Sequence, residues 1–258
     1  MQTAFSFFEI EKVTQRPERK VTSSPAIMLT DRDLEVISFV NEMKFASLDD
    51  LYFKFFRVLK SGGESKSQWW ARERISVLIK SNYLSRVHSF NERKPYFLGT
   101  TKGYLTLTRR CPEKFNTRPL ERIDQNTFEH DKLLLKTRLK LEVDQKATSW
   151  ISDRQLFQFP ELCLNFGEGN QPDALYTNSN GERVAFELEV ARKAKKRYAD
   201  KIRNYVFLMR EQKDNPLSFK KVHIVALNEV VRDLILSEIK IYPQYFEIQM
   251  MSEVLSEK

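Results

Sequence analysis

From residue 29 onward the apolar positions fall into short runs of two different periods. Over 31–43, Leu34, Ile37, Val40 and Met43 recur in three-residue steps, the spacing of one helix face. Thr30, with Asp33 three residues on, matches a capping box with Asp in the Glu role. Ser47 caps a second predicted helix over 48–56, with Leu48, Leu51, Tyr52 and Phe55 on one side. Residues 60–68, KSGGESKSQ, break the pattern. A third helix is predicted over 69–82, with Trp70, Ile75, Leu78 and Ile79 as its apolar set. The period then shortens. Residues 83–87 read as a strand, 91–95 (NERKP) as a turn and 96–98 as the return strand, and 104–110 is a further short segment. Residues 1–28 read as a polar, basic arm.

Residues 111–126 carry Pro112 and Pro119 and no apolar period, so they read as a linker between two halves that fold separately. Thr127 then caps a long helix over 128–146, with Leu134, Leu135, Leu139 and Leu141 as its apolar surface. Residues 147–157 read as one extended stretch. A second strand over 172–178 ends in the turn 178–181 (NSNG), and a third strand spans 183–190. A basic helix (191–210), a strand (222–227), a helix (230–240) and a last strand (245–251) follow. This order predicts an α+β chain. Its early strands pair antiparallel through the hairpin, and helical crossovers add the later ones to give a mixed central sheet.

Three short helices followed by a hairpin is the order of a winged helix-turn-helix over 29–110. Such a unit leaves one face of its third helix open to the major groove. On that reading Ser65, Ser67, Gln68, Arg72 and Arg74 form the recognition face and its lead-in. Arg93 and Lys94 stand at the hairpin tip, where phosphate or minor-groove contacts are made. A protein-docking module has the same order of elements, with Arg72, Glu73 and Arg74 as an ordinary solvated face.

Charge sharpens this picture. The 258 residues carry a formal net charge of +8, unevenly placed. The first 125 residues hold 22 Lys and Arg against 15 Asp and Glu, and the remainder hold 21 against 20. The N-terminal half is therefore the side suited to a polyanion, with double-stranded DNA as the expected partner. No run of ~18 apolar residues occurs, which excludes a membrane-spanning helix. The first residues lack a basic start followed by an apolar run, so no signal peptide is expected. Cys111 and Cys163 are the only cysteines; they exclude a disulfide scaffold and a Cys-rich zinc site, and fit a reducing cytoplasm. No GxxxxGK[ST] or GxGxxG stretch is present, and His88 and His223 read as lone structural side chains.

The chemistry concentrates in the second half. Asp173 opens the second strand, and Glu187 and Glu189 lie 14 and 16 residues later on the third. Residues i and i+2 of a strand share a face, and the hairpin brings Asp173 beside them. Three carboxylates so placed repel one another unless a cation intervenes. A hard divalent ion takes one or two carboxylates together with phosphate oxygens and water, which is the chemistry of metal-assisted phosphodiester hydrolysis. The following basic run, Arg192, Lys193, Lys195, Lys196 and Arg197, suits phosphate contact or simply a solvated face.

Pro172-Asp173 followed by Glu187-Leu188-Glu189, in this order of elements, resembles the PD-(D/E)xK restriction-endonuclease-like superfamily over roughly 127–250. The resemblance implies that Asp173 and Glu187 bind Mg²⁺ or Mn²⁺ if the site is active, with no cofactor otherwise. It makes Glu129 the acidic residue that completes the site. Its third position is usually Lys, and here Glu189 stands there. Lys193 or Lys196 on the following helix are the candidates to replace that Lys. The whole layout, with His130-Asp131, PDALY and VAFELEVARKAKKRY, is similar to the bacterial replication-relaxation family of plasmids and mobile elements. That similarity implies a cytoplasmic DNA-binding protein of replication, relaxation or transfer, with weak or lost cutting activity. An active endonuclease and a winged-helix transcription regulator are the alternatives. Other mobile-element proteins, or a second copy of the chain, are the further partners it implies.

Overall fold

The computed structural model describes residues 27–58, 63–90, 92–167 and 169–256, so residues 1–26 of the expected arm lie outside it. The first helix, α1 (Asp31–Glu42), begins at the reciprocal capping box of Thr30 and Asp33, and α2 (Leu48–Leu51) at the same device in Ser47 and Asp50. α2 runs on into a single π turn, Tyr52–Phe56. α3 (Trp69–Lys80) stops at Asn82, whose positive φ of 60° lets the Tyr83 N–H reach the Leu78 carbonyl at 2.9 Å. This left-handed cap turns the chain directly into strand β2 (Leu84–His88). β2 pairs antiparallel with β3 (Pro95–Gly99), and β3 pairs with the two-residue β1 (Ala46–Ser47), giving the order β1-β3-β2. The segment after the hairpin is a helix, α4 (Thr101–Arg110), capped by the Thr100 hydroxyl. Gly103 is required in it, because a Cβ there would lie 2.7 Å from the Tyr83 carbonyl oxygen.

α5 (Phe128–Asp144) follows, and five strands then build one sheet. Residues 147–157 are not one extended stretch. Ser152 and Gln155 form a capping box, so β4 (Thr148–Ser152) gives way at once to α6 (Asp153–Gln158). β5 (Ala174–Thr177) and β6 (Arg183–Glu189) form the expected hairpin. α7 (Lys195–Glu211), β7 (Lys221–Ala226), α8 (Glu229–Ile239), β8 (Phe246–Met250) and the short α9 (Met251–Leu255) complete the chain. The order is β4-β5-β6-β7-β8, antiparallel up to β6 and parallel beyond it, so the protein is mixed α+β with one mixed sheet. One face of this sheet, including Tyr176, Val184, Phe186 and Leu188, packs with α5 and α9. The other, including Leu175, Ala185, Val222 and Ile224, packs with α7 and α8.

α5 is apolar on more than one side, the pattern of a buried helix. Its Leu134, Leu135, Leu139 and Leu141 belong to one continuous core with Val36, Ile37 and Leu78 on one hand and Tyr176 and Phe186 on the other. At its start Phe128 stacks on Phe45 and meets Tyr96 edge-on, each with ring centroids 5.3 Å apart. Half-buried ion pairs reinforce the contact. Arg138 reaches Glu42 at 2.9 Å and Glu142 at 2.8 Å, and Lys44 reaches Asp131 at 2.7 Å and Asp153 at 2.9 Å. The 111–126 segment is docked as well: Thr117 is buried, and Gln155 Nε2 donates to the Phe115 carbonyl at 3.1 Å. One core therefore runs across the boundary that the sequence pattern suggested. The sequence pattern hid this because α5 supplies core to both sides at once.

Candidate functional site

Two places carry chemistry. The first is a groove of about 340 Å³ between α3 and the β2–β3 hairpin, whose lining includes Gln68, Arg72, Ser76, Arg86 and Lys94. Arg72 and Arg86 are exposed, and Lys94 lies on the groove with its ammonium 3.7 Å from Glu92. Among the described residues no carboxylate pairs with Arg72, Arg86 or Arg93. Arg86 joins the set through its place on β2, where alternation turns it outward between Ser85 and Val87; the sequence reading did not single it out.

The other candidates on this surface divide. Arg74 does not belong to the open face. It points back to α1, where its Nε donates to the buried Asp33 at 2.7 Å and its Nη2 also reaches Asp33 and the Met28 carbonyl. Burial pushes the Asp33 carboxyl up, but Arg74 and Thr30 outweigh this and hold it below the usual carboxylate range. Ser67 and Ser65 shape the start of α3: Ser67 Oγ accepts the Trp69 N–H at 3.1 Å, and Ser65 Oγ donates to the Ser67 carbonyl at 2.9 Å. Gln68 Nε2 donates to Asp49 at 3.0 Å. Trp70, expected in the core, is 66% exposed. Arg93 is exposed near the hairpin tip, as placed by the sequence.

The second place is the carboxylate cluster at the C-terminal end of β6, the strand at which antiparallel pairing gives way to parallel. Ala174 pairs with Phe186, so the next step of the register sets Asp173 opposite Glu187. Glu189 lies two residues on, on the same face, and both glutamates are buried. Asp173 Oδ2 accepts the Leu188 N–H at 2.7 Å and lies 3.4 Å from His130 Nε2. The other ring nitrogen of His130 is 3.5 Å from Asp131. Burial alone would lower the His130 pKa, but Asp131 and Asp173 lift it to about 10, so both ring nitrogens carry protons. Asp173 is pushed up by burial and brought below its ordinary value by His130.

Glu187 is held from α7. Lys201 Nζ donates to its Oε2 at 2.6 Å, and the Tyr205 hydroxyl donates to its Oε1. Burial drives the Glu187 carboxyl up to about 7 against the pull of Lys201, with the Asp173 charge adding to the rise. Burial and the Glu187 charge push the Tyr205 phenol well above its ordinary value. Glu189 receives Lys193 Nζ at 2.9 Å. Between β6, α7 and α8 a void of about 20 Å³ remains beside Glu187, Glu189, Lys201 and Tyr205, room for one water.

Several expected roles shift accordingly. Lys193 serves Glu189 rather than the Asp173–Glu187 pair, and Lys196 is exposed. The lysine on the pair is Lys201, one helical turn and more beyond both. Glu129 is 57% exposed at its side chain and engages Lys132 at 2.7 Å, while its neighbour His130 reaches Asp173. A one-residue step on a helix rotates a side chain by ~100°, which separates the two fates. Lys195 pairs with Glu238 at 3.2 Å, and Arg197 is exposed in the first turn of α7. His223 is structural, between the Tyr176 hydroxyl at 3.0 Å and Gln249 at 3.2 Å. Lys201 and Tyr205 were findable: they are four apart, and so on one face of the predicted helix after the motif.

Asp173 and Glu187 have the oxygen chemistry that Mg²⁺ or Mn²⁺ takes. Three of their four carboxylate oxygens are already engaged. Both oxygens of Glu187 hold Lys201 and Tyr205, and Asp173 Oδ2 holds Leu188 N–H and His130. Among the described residues no group of three or more His, Cys, Asp or Glu is placed to hold a metal ion. Lys201, Lys193 and His130 thus set three of the protein's own cations against the three carboxylates. No helix among the described residues is long and apolar enough to cross a membrane. Comparison with protein-family models, with curated proteins and with solved structures found no match to this chain.

Proposed function

We propose that the chain is a DNA-binding protein whose N-terminal helices and hairpin act as a winged helix on duplex DNA. Its second unit is a restriction-endonuclease-like fold that has weak or no cutting activity. The observation that carries this reading is the groove between α3 and the hairpin, where Arg72, Arg86 and Lys94 converge on the more basic half of the chain. Three cations across a groove suit successive phosphates of a duplex backbone. The self-neutralised carboxylates support the second half of the reading. Glu187 is 3% exposed and held by Lys201 and Tyr205, so it offers a scissile phosphate or its metal no open carboxylate edge. A role in replication, relaxation or transfer of a plasmid or mobile element follows from the resemblance of the motifs.

One observation favours a second reading, an active endonuclease: Lys201 stands 2.6 Å from Glu187 and supplies the cation that Glu189 fails to provide. Supercoiled plasmid incubated with the protein and Mg²⁺ or Mn²⁺ separates the two. We expect retarded plasmid without nicking, and the same for Glu187→Gln. Metal-dependent nicking by the parent that disappears in Glu187→Gln would establish the endonuclease instead.

A further inference from the structure

The first turn of α3 carries two tryptophans that the core does not use. Trp69 and Trp70 keep 54% and 66% of their surface exposed, with ring centroids 4.5 Å apart and planes crossing at 75°. The third tryptophan, Trp150, is buried. Large aromatic rings are the side chains that gain most from burial, so two adjacent exposed indoles are not explained by packing. They brace each other edge to face, and each keeps more than half of its surface open to solvent.

Their surroundings define what such faces would take. At ~100° per residue, Trp69 shares its side of α3 with Arg72 and Ser76, both on the groove described above, and with the exposed Glu73. Lys66 precedes the pair on an exposed segment, and Arg86 and Lys94 lie across the groove. No acidic residue stands in the first turn of α3. Cations outnumber acids around these faces: Lys66, Arg72, Arg86 and Lys94 stand against Glu73 and the Gln68-bound Asp49, and flat π faces with such neighbours match a nucleobase stacked on the ring with its phosphate held alongside. Bases inside a duplex are already stacked on one another, so only unpaired bases can use the rings. We infer that Trp69 and Trp70 form a stacking platform for single-stranded DNA beside the duplex groove, so that the protein engages a junction between single and double strands. This rests on the DNA-binding reading above.

The test uses the full chain with a labelled single-stranded thymidine oligomer and a labelled duplex, both followed by fluorescence anisotropy. Trp69→Ala/Trp70→Ala is compared with Arg72→Ala/Lys94→Ala; circular dichroism and thermal unfolding confirm that each variant is folded. Since more than half of each tryptophan is exposed, the tryptophan variant should remain folded. We expect it to bind the oligomer ~5- to 100-fold more weakly, the ordinary worth of one stacked base, and the duplex nearly as well as the parent. The arginine–lysine variant should lose affinity for both. Unchanged oligomer affinity in the tryptophan variant, or a parent that binds duplex but no oligomer, overturns the platform and leaves the groove standing. A parent that binds neither overturns the DNA-binding reading itself. Self-association of the parent that the tryptophan variant abolishes, seen by sedimentation without oligomer binding, would assign the rings to a second copy and likewise overturn the platform.

Discussion

Arg74→Ala should weaken the fold, while Arg72→Ala, two residues away on α3, should weaken only binding. Asp33 is 1% exposed and accepts hydrogen bonds from the Thr30 N–H and hydroxyl at 2.7 Å each and from Arg74 Nε at 2.7 Å, with Arg74 Nη2 on its second oxygen. Truncating Arg74 deletes two bonds to a charged acceptor, each worth ~1.5–3 kcal/mol. The Thr30 bonds survive, and water replaces a guanidinium whose side chain is 30% exposed, which recovers part of the loss. The net expectation is ~2–3 kcal/mol, or roughly 5–10 °C in Tm for a chain of this size. Urea unfolding followed by far-UV circular dichroism at pH 7 reads it. The pH dependence gives a second check. A carboxyl held below its unfolded pKa of ~3.9 adds stability above that pH and loses it as pH falls through the folded value. The gap between parent and variant should therefore narrow below pH ~4. Arg72→Ala should stay within ~0.5 kcal/mol of the parent, as exposed substitutions do. A variant Arg74→Ala as stable as the parent at pH 7, or a gap that widens in acid, would refute the ion-pair reasoning.

Three further outcomes follow from the same structure. Arg138→Met leaves Glu42 without its buried partner and should cost about 3–5 kcal/mol, toward the lower end because Lys54 still neutralises Glu142; chemical denaturation measures it. Phe128→Ala empties a fully buried site shared by α5 and the hairpin, and should lower stability by ~3–5 kcal/mol within a single cooperative transition; calorimetry that resolves two transitions would contradict the shared core. Glu187 titrates near 7 in the folded chain against ~4.3 unfolded, so its neutral form stabilises the protein below pH ~4.3 and that contribution fades as pH rises through 7. Glu187→Gln should flatten the stability-against-pH curve in that window, and an unchanged slope would count against the buried-carboxylate reading.

Much of the fold was legible because local signals agreed with tertiary need. Thr30–Asp33 and Ser47 started their helices as the sequence indicated, and the Asn178–Gly181 turn set the β5–β6 register that places Asp173 opposite Glu187. The misses have physical causes. Residues 147–157 contain a strand followed immediately by a capped helix, and a run so short gives no period to separate them. Trp70 looked like core because apolar character says nothing about which helix face meets a neighbour. Arg74 looked like surface because the acid that binds it, Asp33, is 41 residues away in sequence. Lys201 was passed over for lysines nearer the Glu-Leu-Glu motif, although helix geometry carries a side chain from the second turn of α7 back to the sheet. The docking of the two halves through α5 depends on non-local contacts that no single-segment pattern records.

The central claim is that the groove of Arg72, Arg86 and Lys94 holds duplex DNA through its phosphates, and the most direct measurement is a salt titration of duplex affinity for the parent and for Arg72→Ala/Arg86→Ala/Lys94→Ala. Each phosphate contact contributes ~0.9 to the slope of log affinity against log salt concentration. We expect the parent to bind a duplex with affinity that falls steeply as salt rises. The triple variant should remain folded, bind much more weakly at low salt, and show a slope shallower by about 2–3. Parent and triple variant with the same affinity and the same slope would contradict the account.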